Sequence, residues 1–183
     1  MSNLVVSGRI VHCHLAVADK YGGYTCSILV DKSDPVVALI KEEVEGLIQS
    51  EFNGTAPKES QVPVEDAAKK FGDEYSEYIR LKCKSTEPVP MVDAELRPLS
   101  DNKAFPNGCD VKAQIAFSAY SSRDYGNGLT CFINAIQFVA KNDPIGRAAA
   151  NPSDIFAPIA KPKGKGSADA PAETKPAGGG FFS

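Results

Sequence analysis

Residues 78–84 read Tyr-Ile-Arg-Leu-Lys-Cys-Lys, and on an extended backbone their side chains alternate between two faces. Ile79, Leu81 and Cys83 then face a core, while Tyr78, Arg80, Lys82 and Lys84 face the other way. That is a denser cationic face than a chain of net charge −3 requires. Cations that track phosphates, next to an aromatic ring on which a base can stack, are the two contacts a single nucleic-acid strand needs. The plain alternative is a solvated edge whose lysines discourage aggregation. A second set of the same residue types stands between 109 and 139. It comprises Lys112, Tyr120, Arg123 and Tyr125, with Phe132 as a weaker aromatic candidate because an ordinary core ring is the commoner role there. Phe117 falls on the apolar face and is assigned to the core; Tyr24, Tyr75 and Phe105 are left open.

Catalytic patterns do not compete with this reading. The sequence has no phosphate-cradling glycine loop, no G-x-S-x-G and no H-E-x-x-H. Its two histidines, His12 and His14, flank Cys13. In a strand the histidines point one way and the thiol the other, and no second Cys/His cluster completes a four-ligand metal site. Asp31, Asp34, Asp93 and Glu95 suit turns and helix caps. The expectation is a binding protein with no catalytic residue, metal or cofactor, not an enzyme.

The elements that must position these residues are mostly strands. Residues 4–17 form a long strand interrupted by Gly8, which suggests a bulge or a tight bend. A turn at 19–23 leads to a second strand over 24–30, so the first two strands read as a hairpin. A helix follows, with Ser33 or Asp34 as cap, Pro35 at the first helical position and Val36, Leu39, Ile40, Val44, Leu47 and Ile48 along one side. It fades at Asn53-Gly54, which suit a left-handed C-terminal cap. Residues 55–78 are a polar insertion in which 65–71 add a helical turn. The 78–84 strand and a Pro-broken stretch precede the long hairpin of 109–139. In that hairpin Val111, Ala113, Ile115, Phe117 and Ala119 share one face; Leu129, Cys131, Ile133 and Ala135 oppose Thr130, Phe132, Asn134 and Ile136. Asp124 to Gly128 supply the turn.

Five antiparallel strands with Greek-key connections and a capping helix describe an OB-fold-like barrel, a mainly β architecture. The usual OB helix lies between the third and fourth strands. Here it precedes the third, so either the topology is a variant or a short strand hides in 85–105. The folded domain covers 1–147. From 148 to 183 Ala, Pro, Gly and Lys dominate and large apolar residues nearly vanish, the composition of a disordered tail. Lys161, Lys163, Lys165 and Lys175 nearly balance Asp154, Asp169 and Glu173 there.

The chain of 183 residues has 43% hydrophobic and 23% charged residues, ordinary for a globular protein. It contains no apolar run long enough for a membrane helix, and its first residues lack the pattern of a secretory leader. Five cysteines without C-x-x-C spacing read as reduced, buried thiols of a cytoplasmic protein. Net charge −3 confines any nucleic-acid site to a local patch, unlike the global basic footprint of a duplex binder.

The segments YTCSILVDKSDP, KCKSTEPVPMVD, NGCDVKAQIAFSAY and GLTCFINAIQFVAKNDPIGR resemble bacteriophage single-stranded DNA-binding proteins with an OB fold, over residues 4–147 in order. Asn134, Ala135 and Gln137 of the NAIQ run are the most specific part. The resemblance implies a protein that coats exposed phage DNA during replication, recombination or repair in the cytoplasm of the infected bacterial host. It also implies a C-terminal tail that recruits replication proteins, with Phe181 and Phe182 as docking aromatics. Such tails are typically acidic, and this one keeps the aromatics without the acid. A homodimer and a cooperative assembly on DNA are both compatible with the sequence. The alternative from another class is an assembly module of a phage particle, using the barrel for protein contacts. The two part over whether the Tyr/Arg/Lys face is concave and wet or flat and apolar.

Overall fold

Alternation of buried and exposed side chains along the strands is what closes the barrel. The structure, a computed structural model, describes residues 2–146. In chain order it has β1 (Asn3–His14), β2 (Tyr24–Asp31), α1 (Val36–Phe52), β3 (Val64–Asp66), α2 (Ala68–Phe71), β4 (Tyr78–Ser85), β5 (Met91–Val92), β6 (Pro98–Leu99), β7 (Asp110–Ser122) and β8 (Gly126–Ala140). The sheet order is β3-β4-β2-β1-β7-β8-β5-β6, and a further pairing of β4 with β8 closes β1, β2, β4, β8 and β7 into a five-stranded barrel.

This is the OB-type barrel the sequence predicts, with one correction. Its strands are not all antiparallel: the seam between β4 and β8 is parallel, with Cys83 opposite Cys131 and Lys84 opposite Phe132. An odd number of strands cannot alternate in direction around a closed ring, so one parallel pair is unavoidable. The core holds Val6, Ile10, Ile28, Val30, Leu81, Ile115, Phe117 and Ile133, all buried. Phe105, left open by the sequence, is buried with its ring edge-on to Phe138 at 6.2 Å.

Helix α1 precedes the third barrel strand, as its sequence position implies. Val37, Ile40 and Phe52 are buried, and Val36, Val44 and Leu47 pack against the core. Leu39, expected on that side, is 49% exposed, because one residue turns a helix by about 100° and carries it off the line through Ile40. The Asp34 carboxylate accepts the Val36 N–H at 2.9 Å, and Pro35 itself takes the N-cap position. Asn53 ends the helix with φ 51°, its N–H donating to the Ile48 carbonyl. The stretch 85–105 hides two short strands; β5 adds to β8 in parallel, and β6 pairs with β5.

Bulges revise the faces read from strict alternation. Gln114 pairs with Ala135 and Ile115 with Ile133, so Asn134 is an extra residue in β8. Ile136 thereby joins Ile133 and Cys131 in the core instead of opposing them. In β1 the register shifts between Val11 and His14, where His12 adopts φ 54°. Gly8 admits close strand approach, since a Cβ there would lie 2.3 Å from the Leu29 carbonyl oxygen. The β7–β8 turn is shorter than predicted. Ser122 still pairs with Gly126, leaving Arg123, Asp124 and Tyr125 as the turn.

The insertion folds onto the barrel. A 3₁₀ turn (Glu59–Gln61), β3 and α2 follow one another, and β3 pairs with β4. Val11, Leu29, Ala67 and Ile145 form a second buried apolar cluster, with Phe71, Tyr75 and Tyr78 against it. Leu29, on the outward face of β2, is therefore fully buried. The expected tail, 148–183, with its candidate docking residues Phe181 and Phe182, lies outside the described residues.

Candidate nucleic-acid interface

Three neighbouring strands and one loop build a groove of about 700 Å³ on the outer wall of the barrel. Strand β1 contributes His12 and His14, β2 contributes Thr25 and Ser27, and β4 contributes Arg80, Lys82 and Lys84. Asp19, Lys20 and Tyr21 of the β1–β2 loop close one end, and Lys70 of α2 reaches in from the insertion. Alternation along β4 puts its cations outward because Ile79, Leu81 and Cys83 are committed to the core.

The β1–β2 loop is held by its own first residue. Asp19 accepts the N–H groups of Tyr21 at 2.9 Å and Gly23 at 3.0 Å, and the Thr25 hydroxyl donates to its other oxygen at 3.3 Å. The Gly23 and Tyr21 N–H groups hold the Asp19 carboxyl below the ordinary carboxylate range. Gly22 supplies the positive φ (80°) that the turn needs. On this support Tyr21 stands 84% exposed, with the Lys20 ammonium 4.9 Å from its ring centre.

Arg80 is the most constrained cation in the groove. Its Nε donates to the Ser27 hydroxyl at 3.0 Å, and its guanidinium lies 5.8 Å from the centre of the Phe71 ring. Nη1 pairs with Glu65 Oε1 at 2.6 Å, and the second Glu65 oxygen lies 3.5 Å from Lys82 Nζ. His12 stacks with the same ring, its centroid 6.3 Å from that of Phe71 at an interplanar angle of 24°. Burial, then the positive charges of Arg80 and Lys70, and His14 hold the His12 imidazole below its ordinary value.

Lys82 and Lys84 also line a smaller depression of about 170 Å³ with Gln61, Pro63, Tyr120 and Thr130, so the cationic wall continues from one into the other. There the Tyr120 hydroxyl donates to the Gln61 side-chain oxygen, and Lys84 Nζ lies 5.9 Å from the ring centre. The ring lies against Gly128, where a Cβ would come within 2.4 Å of it. A side chain at that position would displace the ring, whereas the backbone angles would accept one.

The sequence-predicted residues are brought together in part. Arg80, Lys82 and Lys84 share the main groove and Tyr120 its extension. Arg123 and Tyr125 are exposed at the hairpin turn, Tyr125 at 69%, and line neither depression. Phe132, on which a core role weighed, belongs to neither apolar cluster; it is half-buried, in register with Lys84 and Ala116. Tyr78 shares the face of Arg80 but packs in the second apolar cluster, because the insertion folds over that end of β4. Lys112 lines a separate depression with Arg9, Asp31, Tyr78 and Asp110, away from the β4 cations.

Several residues of the site escaped the sequence reading: Lys20, Tyr21, His12, His14, Lys70 and Gln61, which line the two depressions, and Glu65, which pairs with Arg80 and Lys82. Only Lys20-Tyr21 carried a usable signal, a cation and an aromatic in the loop after the first strand, where OB barrels border their binding face. The others arrive through bulging and insertion folding.

A family model described as the ssDNA-binding protein of Enterobacter phage Enc34 matches residues 11–166. No curated protein sequence matches the chain. Among solved structures, the single-stranded DNA-binding protein from bacteriophage Enc34 superposes with a TM-score of 0.70 at 15% identity, covering 85% of this chain and 90% of that one. The same protein in complex with ssDNA gives 0.67 at 16% identity, over 79% and 89%. The single-stranded DNA-binding protein gp2.5 encoded by bacteriophage T7 gives 0.59 at 15% identity, over 87% and 99%. At such identities these likenesses establish the fold.

Proposed function

Since the chain belongs to the family of the Enterobacter phage Enc34 ssDNA-binding protein, we propose that it binds single-stranded DNA along the β1–β2–β4 groove. It coats exposed strands without sequence preference during phage DNA replication, recombination or repair, in the cytoplasm of the infected bacterium. The observation that carries this reading is the wall of Arg80, Lys82 and Lys84, with Tyr21 of the β1–β2 loop on one side of its Lys84 end and Tyr120 on the other. Cations at alternate residues of one strand suit a phosphate chain, and aromatic rings on both sides of Lys84 give stacking platforms that accept any base.

The groove is concave and lined with charge, which favours strand binding over a flat, apolar assembly face. Its residues bind and orient the strand, and the protein acts as a binding module. The domain responsible spans 1–147. The tail, with Phe181 and Phe182, is proposed as the docking segment for replication proteins.

Fluorescence anisotropy with labelled dT oligomers, matched duplex and RNA across a salt series tests this. Single-stranded DNA should bind far better than duplex, with log K falling against log salt at a slope near −3 if about four phosphates are neutralised. Equal affinity for duplex, or a slope near zero, would remove the groove from the mechanism.

A further inference from the structure

Two of the groove's cations are paired to a carboxylate, where a strand-binding surface has least use for one. Glu65 sits on β3, directly opposite Arg80 in the β3–β4 register. One of its oxygens lies 2.6 Å from Arg80 Nη1 and the other 3.5 Å from Lys82 Nζ. The Glu65 and Arg80 side chains are only 19% and 17% exposed, so little water screens the pair. Neither end is loose: Ser27 and Phe71 hold the guanidinium from the other side, and β3 is tied to β4 by its backbone.

We propose that Glu65 is a resident counter-anion, a stand-in for phosphate that the DNA strand must displace to reach Arg80 and Lys82. A carboxylate bridging two cations has the single negative charge and the paired oxygens of a phosphodiester. While it is in place, one of the three positive charges on β4 is already offset, and two of the three cations are engaged. The insertion that carries β3 thus moderates the affinity of the groove for any polyanion, and only a ligand that also stacks on the aromatic rings recovers the cost. Glu65 is by this account a specificity-determining residue that favours unpaired strands over duplex. The inference rests on the strand-binding reading of the groove.

Glu65→Gln tests it, because the amide keeps the shape and the acceptor oxygen while removing the charge. Wild type and variant are titrated side by side with a dT oligomer and with duplex. The variant should bind single strands about tenfold more tightly, ~1.4 kcal/mol, and gain more on duplex. Its log K against log salt should steepen by about 0.7 for each further phosphate neutralised. Weaker or unchanged binding by a variant that melts like wild type would overturn the proposal and make Glu65 a positioning residue for Arg80. Arg80→Gln supplies a second readout in both backgrounds. It should cost more affinity when position 65 is Gln than when it is Glu; equal costs would overturn the displacement step. Failure of wild type to bind single strands at all would overturn the strand-binding reading itself, and this inference with it.

Discussion

Gly128→Ala should damage DNA binding without damaging the fold. The added Cβ would lie 2.4 Å from both Cζ and Oη of Tyr120 and 2.8 Å from Cε1, far inside van der Waals contact. The ring must move, and moving it breaks its hydrogen bond to Gln61 and carries it away from Lys84. A lost neutral hydrogen bond costs about 1 kcal/mol. Alanine in place of glycine within a strand returns a similar amount, about 0.5–1 kcal/mol, so the melting temperature should hardly change. Binding loses one stacking platform, worth about 1–3 kcal/mol per base, or a fall in affinity of about 5- to 150-fold. Anisotropy with dT oligomers measures the fall. The absence of tryptophan, with six tyrosines, makes quenching of tyrosine emission on binding a second readout. Tyr120→Ala should produce the same loss, and the double variant no further loss. Wild-type affinity in Gly128→Ala would refute Tyr120 as a platform seated on Gly128, and a large drop in melting temperature would place the ring in the core.

Other outcomes follow from the same geometry. Phe117→Ala should lower stability by about 3–5 kcal/mol as a fully buried aromatic truncation, seen in urea unfolding, with affinity per folded molecule retained. Lys84→Ala should weaken single-strand binding and flatten its salt slope by about 0.7, whereas Lys112→Ala, in its separate depression, should leave both unchanged. The depressed His12 value contributes stability that is present above the ordinary value of 6.5 and is lost as pH falls through the folded value. The free protein should therefore melt lower on acidification below that point. A nearby phosphate favours the charged imidazole, so DNA affinity should rise over the same range with net proton uptake by calorimetry. His12→Asn, which tolerates the positive φ, should remove this part of both pH dependences. Deleting 148–183 should leave single-strand affinity within a few-fold, because the segment is nearly neutral; a gain of about tenfold would mean that it competes for the groove.

Period-two alternation was enough to identify the barrel strands, the inward-facing Phe117 and the outward-facing Arg80, Lys82 and Lys84. That information is local: a side chain's face follows from the backbone of its own strand once one face is apolar. Helix α1 and its Asn53 cap were legible for the same reason, being set by spacing and by one residue's tolerance of left-handed angles. What alternation cannot carry is an interruption whose cause lies on another strand. The extra residue at Asn134 moved Ile136 into the core, and the bulge at His12 stands where β1 changes register against β2. Closure through a parallel seam followed from strand number, and the strands β5 and β6 were too short to show a period.

The site depended still more on tertiary structure. Tyr78 and Arg80 share a strand face in sequence, yet folding of the 55–78 insertion packed one against an apolar cluster and left the other in the groove. Lys112 and Lys84 look equivalent by type, yet they line different depressions. Glu65 lies 15 residues from Arg80, and nothing in its own neighbourhood marks it as that cation's partner. Residue types and their alternation are written along the chain, whereas the distance between two charges is decided only when strands pair.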